Sequence, residues 1–320
     1  MYNILHKYKR LIFLLIKLAI VIGAFYFIFQ QLANNELLSA SQLKQQFFML
    51  FAKNAWLLLL LILFTDANWI LEIFKWKTLV SREKEITFFE AYEQCFASLT
   101  ASLITPNRIG EYGAKALYFE NKHRKKVMVL NLIGNLSQLT VTIFFGIFGM
   151  FFLSFYFEVE MFSFNAPKFF PILSVLLLLY LIGKNFGITK KLTKLIRKIL
   201  DYTKQLPIKI QAKTLAYSLF RYLVFSHQFY FFLQLFHIEA AYFTLMSLIF
   251  STYFIASVIP GLAIFDWVIK GSVAVVIFGF IDANPLTIVT ITTFMWLLNF
   301  AIPAIIGSIF VLNFKMIADK

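Results

Sequence analysis

The chain has 320 residues, of which 60% are hydrophobic and only 14% are charged, and its mean hydropathy is +0.77. Soluble globular chains are close to half apolar and about one quarter charged. The composition therefore excludes an ordinary water-soluble domain and predicts an integral membrane protein. Six spans of about 20 residues and two shorter membrane hairpins would use most of the chain, which leaves no room for a separate soluble domain.

The charge is strongly basic, with 30 Lys and Arg against 16 Asp and Glu. In a membrane protein this excess indicates topology first, because basic loops stay cytoplasmic, so nucleic acid is not an expected partner. The apolar run after the basic N-terminus is too long for a removable signal peptide and lacks a small-residue cleavage site. The single cysteine, Cys95, excludes an internal disulfide and gives no sign of a metal cluster.

Hydrophobic segments predict six spans, and the basic loops set their direction. The predicted spans are Leu11–Phe29, Trp56–Phe74, Val127–Phe157, Phe169–Ile182, Leu215–Phe236 and Thr287–Leu312. Two basic clusters mark the cytoplasmic side: Lys75, Lys77, Arg82 and Lys84, then Lys122, Arg124, Lys125 and Lys126. The acidic pair Glu158 and Glu160 is then outside. Both termini are cytoplasmic in this arrangement, which predicts a multi-pass protein of the inner, or plasma, membrane.

Two further apolar segments are broken by proline and are predicted as re-entrant hairpins. Residues 86–121 break at Thr105-Pro106-Asn107 and would enter from the cytoplasm, whereas residues 246–281 break at Pro260-Gly261 and would enter from outside. After each break, an acid, an aromatic residue and a lysine follow with the same spacing. They are Glu111, Tyr112 and Lys115 in the first segment, and Asp266, Trp267 and Lys270 in the second. We therefore predict an all-α inverted repeat with halves at residues 1–160 and 161–320.

The linker between the halves, residues 184–213, contains nine basic residues and only Asp201 in opposition. Its apolar residues recur at helical spacing, at Ile188, Leu192, Leu195, Ile196, Ile199 and Leu206. The pattern is typical of an amphipathic helix that lies on a membrane surface. We expect residues 188–206 to bind the anionic inner leaflet, with the basic residues Lys190, Lys191, Lys194, Arg197 and Lys198 facing its headgroups.

Eight ionisable residues fall within predicted membrane segments: Asp66, Glu93, Arg108, Glu111, Lys115, Arg221, Asp266 and Lys270. Such residues normally face the interior of a helix bundle, and paired broken helices near the midplane are the usual binding site of a transporter. Four of them, Arg108, Lys115, Arg221 and Lys270, could hold a phosphate headgroup. The alternative is purely structural, since an acid near a helix start with a lysine at i+4 stabilises any hairpin.

No other chemistry is predicted. His227 and His237 do not have the spacing of metal ligands, and no phosphate-binding loop, dinucleotide fingerprint or nucleophile elbow is found. We expect no metal, no cofactor and no catalytic residue.

The segment Thr105-Pro106-Asn107-Arg108-Ile109-Gly110-Glu111-Tyr112-Gly113 resembles the hallmark of the lysylphosphatidylglycerol synthase transmembrane-region family, the flippase-like domain of the multiple peptide resistance factor. Asn107 stands where many members have glycine. The segment from Ile259 to Asp266 lacks the second glycine of the family's other motif. The resemblance implies a stand-alone membrane protein that handles a lipid or lipid-linked substrate, without the soluble aminoacyltransferase domain.

The expected function is thus to bind an anionic phospholipid or a polyprenyl-phosphate-linked substrate and move it between leaflets. The alternatives are the membrane part of a lipid-modifying enzyme and a structural or regulatory membrane subunit. A homodimer is also compatible with the sequence. The expected substrate-binding residues are Thr105, Pro106, Asn107, Arg108, Gly110, Glu111, Lys115, Arg221, Pro260, Gly261, Asp266 and Lys270.

Overall fold

The computed structural model describes residues 55–103, 105, 108–157, 188–259 and 266–315, with 15–20, 22–23, 26 and 45 before them. This part of the chain is helical and contains no strand. Its longer helices are α1 (Ala55–Val80), α2 (Phe88–Leu103), α3 (Ile109–Leu117), α4 (Asn121–Tyr156), α5 (Ile188–Gln205), α6 (Ile208–Leu235), α7 (Tyr242–Val258), α8 (Asp266–Phe278), α9 (Pro285–Trp296) and α10 (Ile302–Asn313). A 3₁₀ turn, Gly279–Ile281, extends α8, and a π-helical turn, Leu297–Ala301, joins α9 to α10.

Three of these helices are long and apolar enough to cross a membrane: Trp56–Val80, Asn121–Tyr156 and Pro285–Asn313. Tyr242–Val258 and Trp267–Ile281 are apolar but shorter. The fold is therefore all-α and compatible with a membrane protein. The six spans, the side from which each hairpin enters and the division into halves stay predictions. The spans Leu11–Phe29 and Phe169–Ile182 lie largely or wholly outside the described residues, as do Glu158 and Glu160.

The ends of two helices differ from the prediction. The first long helix continues to Val80, so Lys75 and Lys77 belong to it and not to a loop. The side chain of Lys75 is only 2% exposed and pairs with Glu72 one turn earlier, so its charge does not end the helix. Likewise α4 begins at Asn121, and the basic cluster that starts at Lys122 occupies its first two turns. The turn between α1 and α2 is residues 81–87.

The predicted linker is two elements rather than one. Helix α5 ends at Gln205, the side chain of Leu206 is buried, and Pro207 is the N-cap of α6. Since proline has no N–H to donate, it starts a helix readily but interrupts one that precedes it. Residues 208–213 therefore belong to α6, which extends the predicted span at Leu215 toward the N-terminus.

Both predicted breaks separate two helices that pack side by side, α2 with α3 and α7 with α8. The first pair begins with a capping box, in which the Thr87 N–H donates to Glu90 Oε2 (2.7 Å) and the Glu90 N–H donates to Thr87 Oγ1 (3.1 Å). The pairing of the remaining helices corresponds between the two parts of the chain. Helix α2 packs on α10 as α7 packs on α4, and α1 and α6 pack on each other at the centre.

Close helix approach at these contacts depends on glycine. A Cβ at Gly307 of α10 would lie 2.1 Å from the Phe96 carbonyl oxygen of α2, and one at Gly149 of α4 would lie 2.7 Å from that of Ser247 in α7. Small residues at such crossings are typical of helices packed within membranes. They bring α2 and α7 against the long helices and fix the position of the breaks that follow.

Candidate functional site

The break between α2 and α3 is held by side chain to backbone hydrogen bonds. Thr105 Oγ1 donates to the Ser102 carbonyl oxygen (2.9 Å) and accepts from the Gly110 N–H (2.9 Å). A Cβ at Gly110 would meet the Ala101 carbonyl oxygen at 2.5 Å, so only glycine fits there. Arg108, the N-cap of α3, has a φ of 57°, a left-handed conformation that is uncommon for a non-glycine residue. Thr105 and Gly110 thus shape the backbone that presents Arg108.

Glu111, in the first turn of α3, is buried between two cations. Lys115 Nζ lies 2.9 Å from Glu111 Oε1, and Arg108 Nη2 lies 3.6 Å from Oε2. Lys115 also donates to Asn131 Oδ1 of α4 (2.8 Å) and lies 4.5 Å from the centre of the Trp76 ring. Burial of these charges is costly unless they are paired and hydrogen-bonded, and the contacts of Lys115 meet both requirements.

A second ionic group joins α1 to α6. Arg221 Nη1 donates to Glu72 Oε2 (2.6 Å), and Arg221 Nε donates to Asn68 Oδ1 (3.0 Å). Lys75 Nζ is also 2.6 Å from Glu72 Oε2. One carboxylate therefore balances two cations, the buried Lys75 and the partly exposed Arg221.

The two ionic groups line one small cavity, together with uncharged residues from α1, α2 and α4. The lining residues are Trp69, Glu72, Cys95, Leu99, Arg108, Glu111, Lys115, Asn135 and Arg221. The space open to the centre of a water molecule is about 30 Å³, room for one or two waters. The ionisable side chains that line or adjoin the cavity are four bases, Lys75, Arg108, Lys115 and Arg221, and two acids, Glu72 and Glu111. The cavity therefore has an excess of two positive charges.

Several polar atoms around this cavity have no hydrogen-bond partner within the described residues, and those on its wall are donors. They are Trp69 Nε1 and Arg108 Nε, and beside the cavity Asn131 Nδ2 is in the same state. A buried donor without a partner costs about 1–3 kcal/mol. The cavity thus combines excess positive charge with unused donors, which is the complement of an anionic group rich in acceptors.

A chain of amides leads away from Arg221 toward the π-helical turn. Asn68 Nδ2 donates to Asn299 Oδ1 (3.1 Å), and Asn299 Nδ2 donates to Gln228 Oε1 (2.8 Å). Isolated π-helical turns in α-helices are frequent at functional sites. Here the turn includes Asn299 and Phe300, and the centre of the Phe300 ring lies 4.8 Å from the Arg108 guanidinium carbon and 6.0 Å from Lys270 Nζ.

The structure brings together four of the predicted site residues, Arg108, Glu111, Lys115 and Arg221. Lys270 lines a separate cavity of about 50 Å³ with Trp267, Tyr253 and Asn299, beyond Phe300. Pro106, Asn107, Pro260, Gly261 and the side chain of Asp266 lie outside what the structure describes. Asp66 is exposed, since it lies on the flank of α1 away from Glu72, and Glu93 is half-buried and outside the cavity lining.

Three residues that contribute to this region, Glu72, Asn68 and Asn299, are not among the predicted site residues. A signal was present in α1, where Asn68, Glu72 and Lys75 follow at i, i+4 and i+7 and so share one face of an apolar helix. The prediction of a loop that begins at Lys75 hides this shared face. Asn299 has no comparable signal, because its position depends on the π-helical turn.

In comparisons with protein-family models, curated proteins and solved structures, nothing matches this chain. The resemblance around Thr105–Gly113 therefore stays a prediction.

Proposed function

We propose that the chain is a flippase-like membrane protein that binds the anionic headgroup of a lipid in the cavity beside Glu72 and Glu111 and moves that lipid between leaflets. The observation that supports this most is the excess of two positive charges around a buried cavity with unused donors. A phosphate group supplies negative charge and acceptor oxygens, and arginine binds it bidentately. Anionic phospholipids and polyprenyl-phosphate carriers both contain such a group.

Binding requires the cavity to open, because it now has room for only one or two waters. Helix α3 is the element that moves in this proposal. It has nine residues, follows a break, and is tied to the rest of the site by Lys115, Arg108 and Glu111. An incoming phosphate replaces Glu111 as the partner of the two cations, so the carboxylate and the ligand compete for them. The inverted repeat belongs to this proposal, and the corresponding helix pairings support it.

The test is lipid movement in liposomes that contain the purified full chain. Acyl-labelled phosphatidylglycerol, phosphatidylcholine and a polyprenyl phosphate are compared by quenching of the outer leaflet. We expect the anionic lipids to move and phosphatidylcholine to lag. Arg221→Lys should slow the movement at equal charge, because one ammonium cannot reproduce both bonds of the guanidinium to Glu72 and Asn68. Glu111→Gln should abolish it, because the release of the ligand needs the competing carboxylate.

Matched exchanges at exposed sites, Arg82→Lys and Glu239→Gln, should leave the movement unchanged. Normal phosphatidylglycerol movement by both site variants would refute the proposal. If both variants instead lose folded protein while the surviving protein moves lipid normally, the cluster is structural.

A further inference from the structure

Helix α5 presents an exposed edge that combines apolar and basic residues. The exposed fraction is 47% for Ile196 and 52% for Leu200, which are one turn apart, while Ile199, between them in sequence, is half-buried. Lys204 follows Leu200 at i+4. Around the helix, the exposed cations nearest to this pair are Arg197 and Lys204, whereas Lys194 and Lys198, each two residues from Ile196, are exposed on the far side. The helix therefore covers part of the protein with one side and leaves an amphipathic edge beside it.

The other side of α5 is docked through a carboxylate in the turn between α1 and α2. Tyr202 OH donates to Glu83 Oε1 (2.9 Å), while His123 Nδ1 and Lys126 Nζ of α4 contact Oε2 at 2.8 and 3.2 Å. The side chain of Glu83 is only 5% exposed. Gln211 Nε2 donates to the carbonyl oxygens of Thr203 and Leu206 and fixes the end of α5 on α6. Glu83 thus joins three segments that are distant in sequence.

The turn that carries Glu83 connects two helices that line the cavity. Residues 81–87 connect α1, which carries Glu72 and Lys75, to α2, which leads to the break and to Glu111. The backbone N–H groups of Glu83 and Lys84 donate to the Val80 carbonyl oxygen at 2.9 and 3.0 Å. A change in how α5 is seated can therefore reach the turn through the hydrogen bond from Tyr202 to Glu83.

We propose that α5 binds an anionic membrane surface through Arg197 and Lys204 with Ile196 and Leu200 inserted, and that the Tyr202–Glu83 hydrogen bond couples this binding to the turn at residues 81–87. The occupant is a lipid surface, because an exposed apolar pair beside two cations fits headgroups and acyl chains together. The anionic leaflet then not only surrounds the hairpin but also regulates it. This inference does not depend on what the cavity binds.

The experiment measures amide hydrogen exchange of the full chain in nanodiscs of phosphatidylcholine alone and with about one third phosphatidylglycerol. For the wild type, we expect the anionic lipid to slow exchange several-fold both in residues 193–205 and in residues 81–87. Neutralising Arg197 and Lys204 to Gln should remove both effects. Tyr202→Phe should keep the effect in α5 and lose it in the turn. Tyr217→Phe on α6 is the matched control and should behave as the wild type.

Equal exchange of α5 in the two bilayers would overturn the lipid-binding part. A turn that is still protected by anionic lipid in Tyr202→Phe would overturn the coupling. The two neutralised residues are exposed, so their loss does not disturb the packing, and the melting temperature of each variant checks that the comparison is between folded proteins.

Discussion

Glu72 is the acceptor on which Lys75 and Arg221 both depend, and its replacement tests how far the cavity is held by charge. Glu72→Gln keeps the shape but leaves the buried Lys75 and the partly exposed Arg221 without a carboxylate. Loss of one partner from a buried pair costs roughly 3–5 kcal/mol, so we expect a large fall in the melting temperature in detergent. Asp66→Asn on the exposed flank of the same helix is the control and should change stability by less than about 0.5 kcal/mol. Equal effects would mean that the ionic group contributes little.

We predict that acid weakens the contribution of Glu83, which lies outside the predicted membrane spans, to the stability of the fold. Burial raises the pKa of its carboxyl, but hydrogen bonds from His123, Tyr202 and Lys126 lower it by more, so the net shift is downward. A lowered pKa in the folded state means that the contribution to stability is present above the unfolded value of about 4.3 and is lost as the pH falls through the folded value. We expect the difference in melting temperature between the wild type and Glu83→Gln to shrink below about pH 4. A gap that stays constant into acid would contradict this reading.

At the scale of elements, α3 offers a matched pair of glycines. Gly110→Ala would place a Cβ 2.5 Å from a backbone oxygen of α2, which must shift or separate the two helices, whereas a Cβ at Gly113 meets nothing within 4 Å. We expect Gly110→Ala to cost about 1–3 kcal/mol. Gly113→Ala should be neutral or should stabilise by up to about 1 kcal/mol through helix propensity. Thermal unfolding of both variants measures this, and the reverse order would show that the break at Thr105 is looser than its hydrogen bonds imply.

How far the sequence predicts these elements depends on whether the signal is local. The breaks near Thr105 and Pro260 and the start of α2 at Thr87 could be predicted, because proline, glycine and the capping box act on their own backbone. The continuation of α1 past Lys75 could not, since the partner that permits a buried lysine is another side chain. The π-helical turn was also missed. Its only local sign is Pro303, which has no N–H for the carbonyl of Asn299, and proline near a helix start is common.

At the scale of the whole molecule, the packing of the helices does not determine which side of the membrane each loop occupies, so the topology stays a prediction. The buried Cys95 can be replaced by Ala, and single cysteines placed at the exposed positions Lys84 and Glu239. If basic loops stay cytoplasmic, an impermeant thiol reagent should reach Lys84→Cys from the cytoplasmic side only and Glu239→Cys from the other side only. Labelling of both from one side would remove the predicted topology and, with it, the inverted repeat.

Only part of the site could be predicted from the sequence, for the same reason that only some of the helix ends could: the rest depends on contacts between residues that are distant in sequence. Motif residues such as Arg108, Glu111 and Lys115 are near in sequence, and their meeting needs only α3. The addition of Arg221 and Glu72 requires α1 and α6 to pack at the centre, which hydropathy does not encode. Lys270 lines a different cavity from the other cations, and Phe300 lies near both Lys270 and Arg108. Nothing in the sequence distinguishes this phenylalanine from the forty others.

The π-helical turn at Leu297–Ala301 amounts to one extra residue in an otherwise regular helix, since the Ile302 N–H bonds the Leu297 carbonyl five residues back instead of four. A genetic deletion of one codon there would restore the ordinary repeat and leave α9 and α10 in nearly the same register. The fold would tolerate such a deletion far better than a deletion elsewhere in the helix. What would be lost is the placement that the extra residue gives to Asn299 and Phe300, so a single codon decides whether this helix contributes those two side chains to the contacts around Arg108 and Asn68.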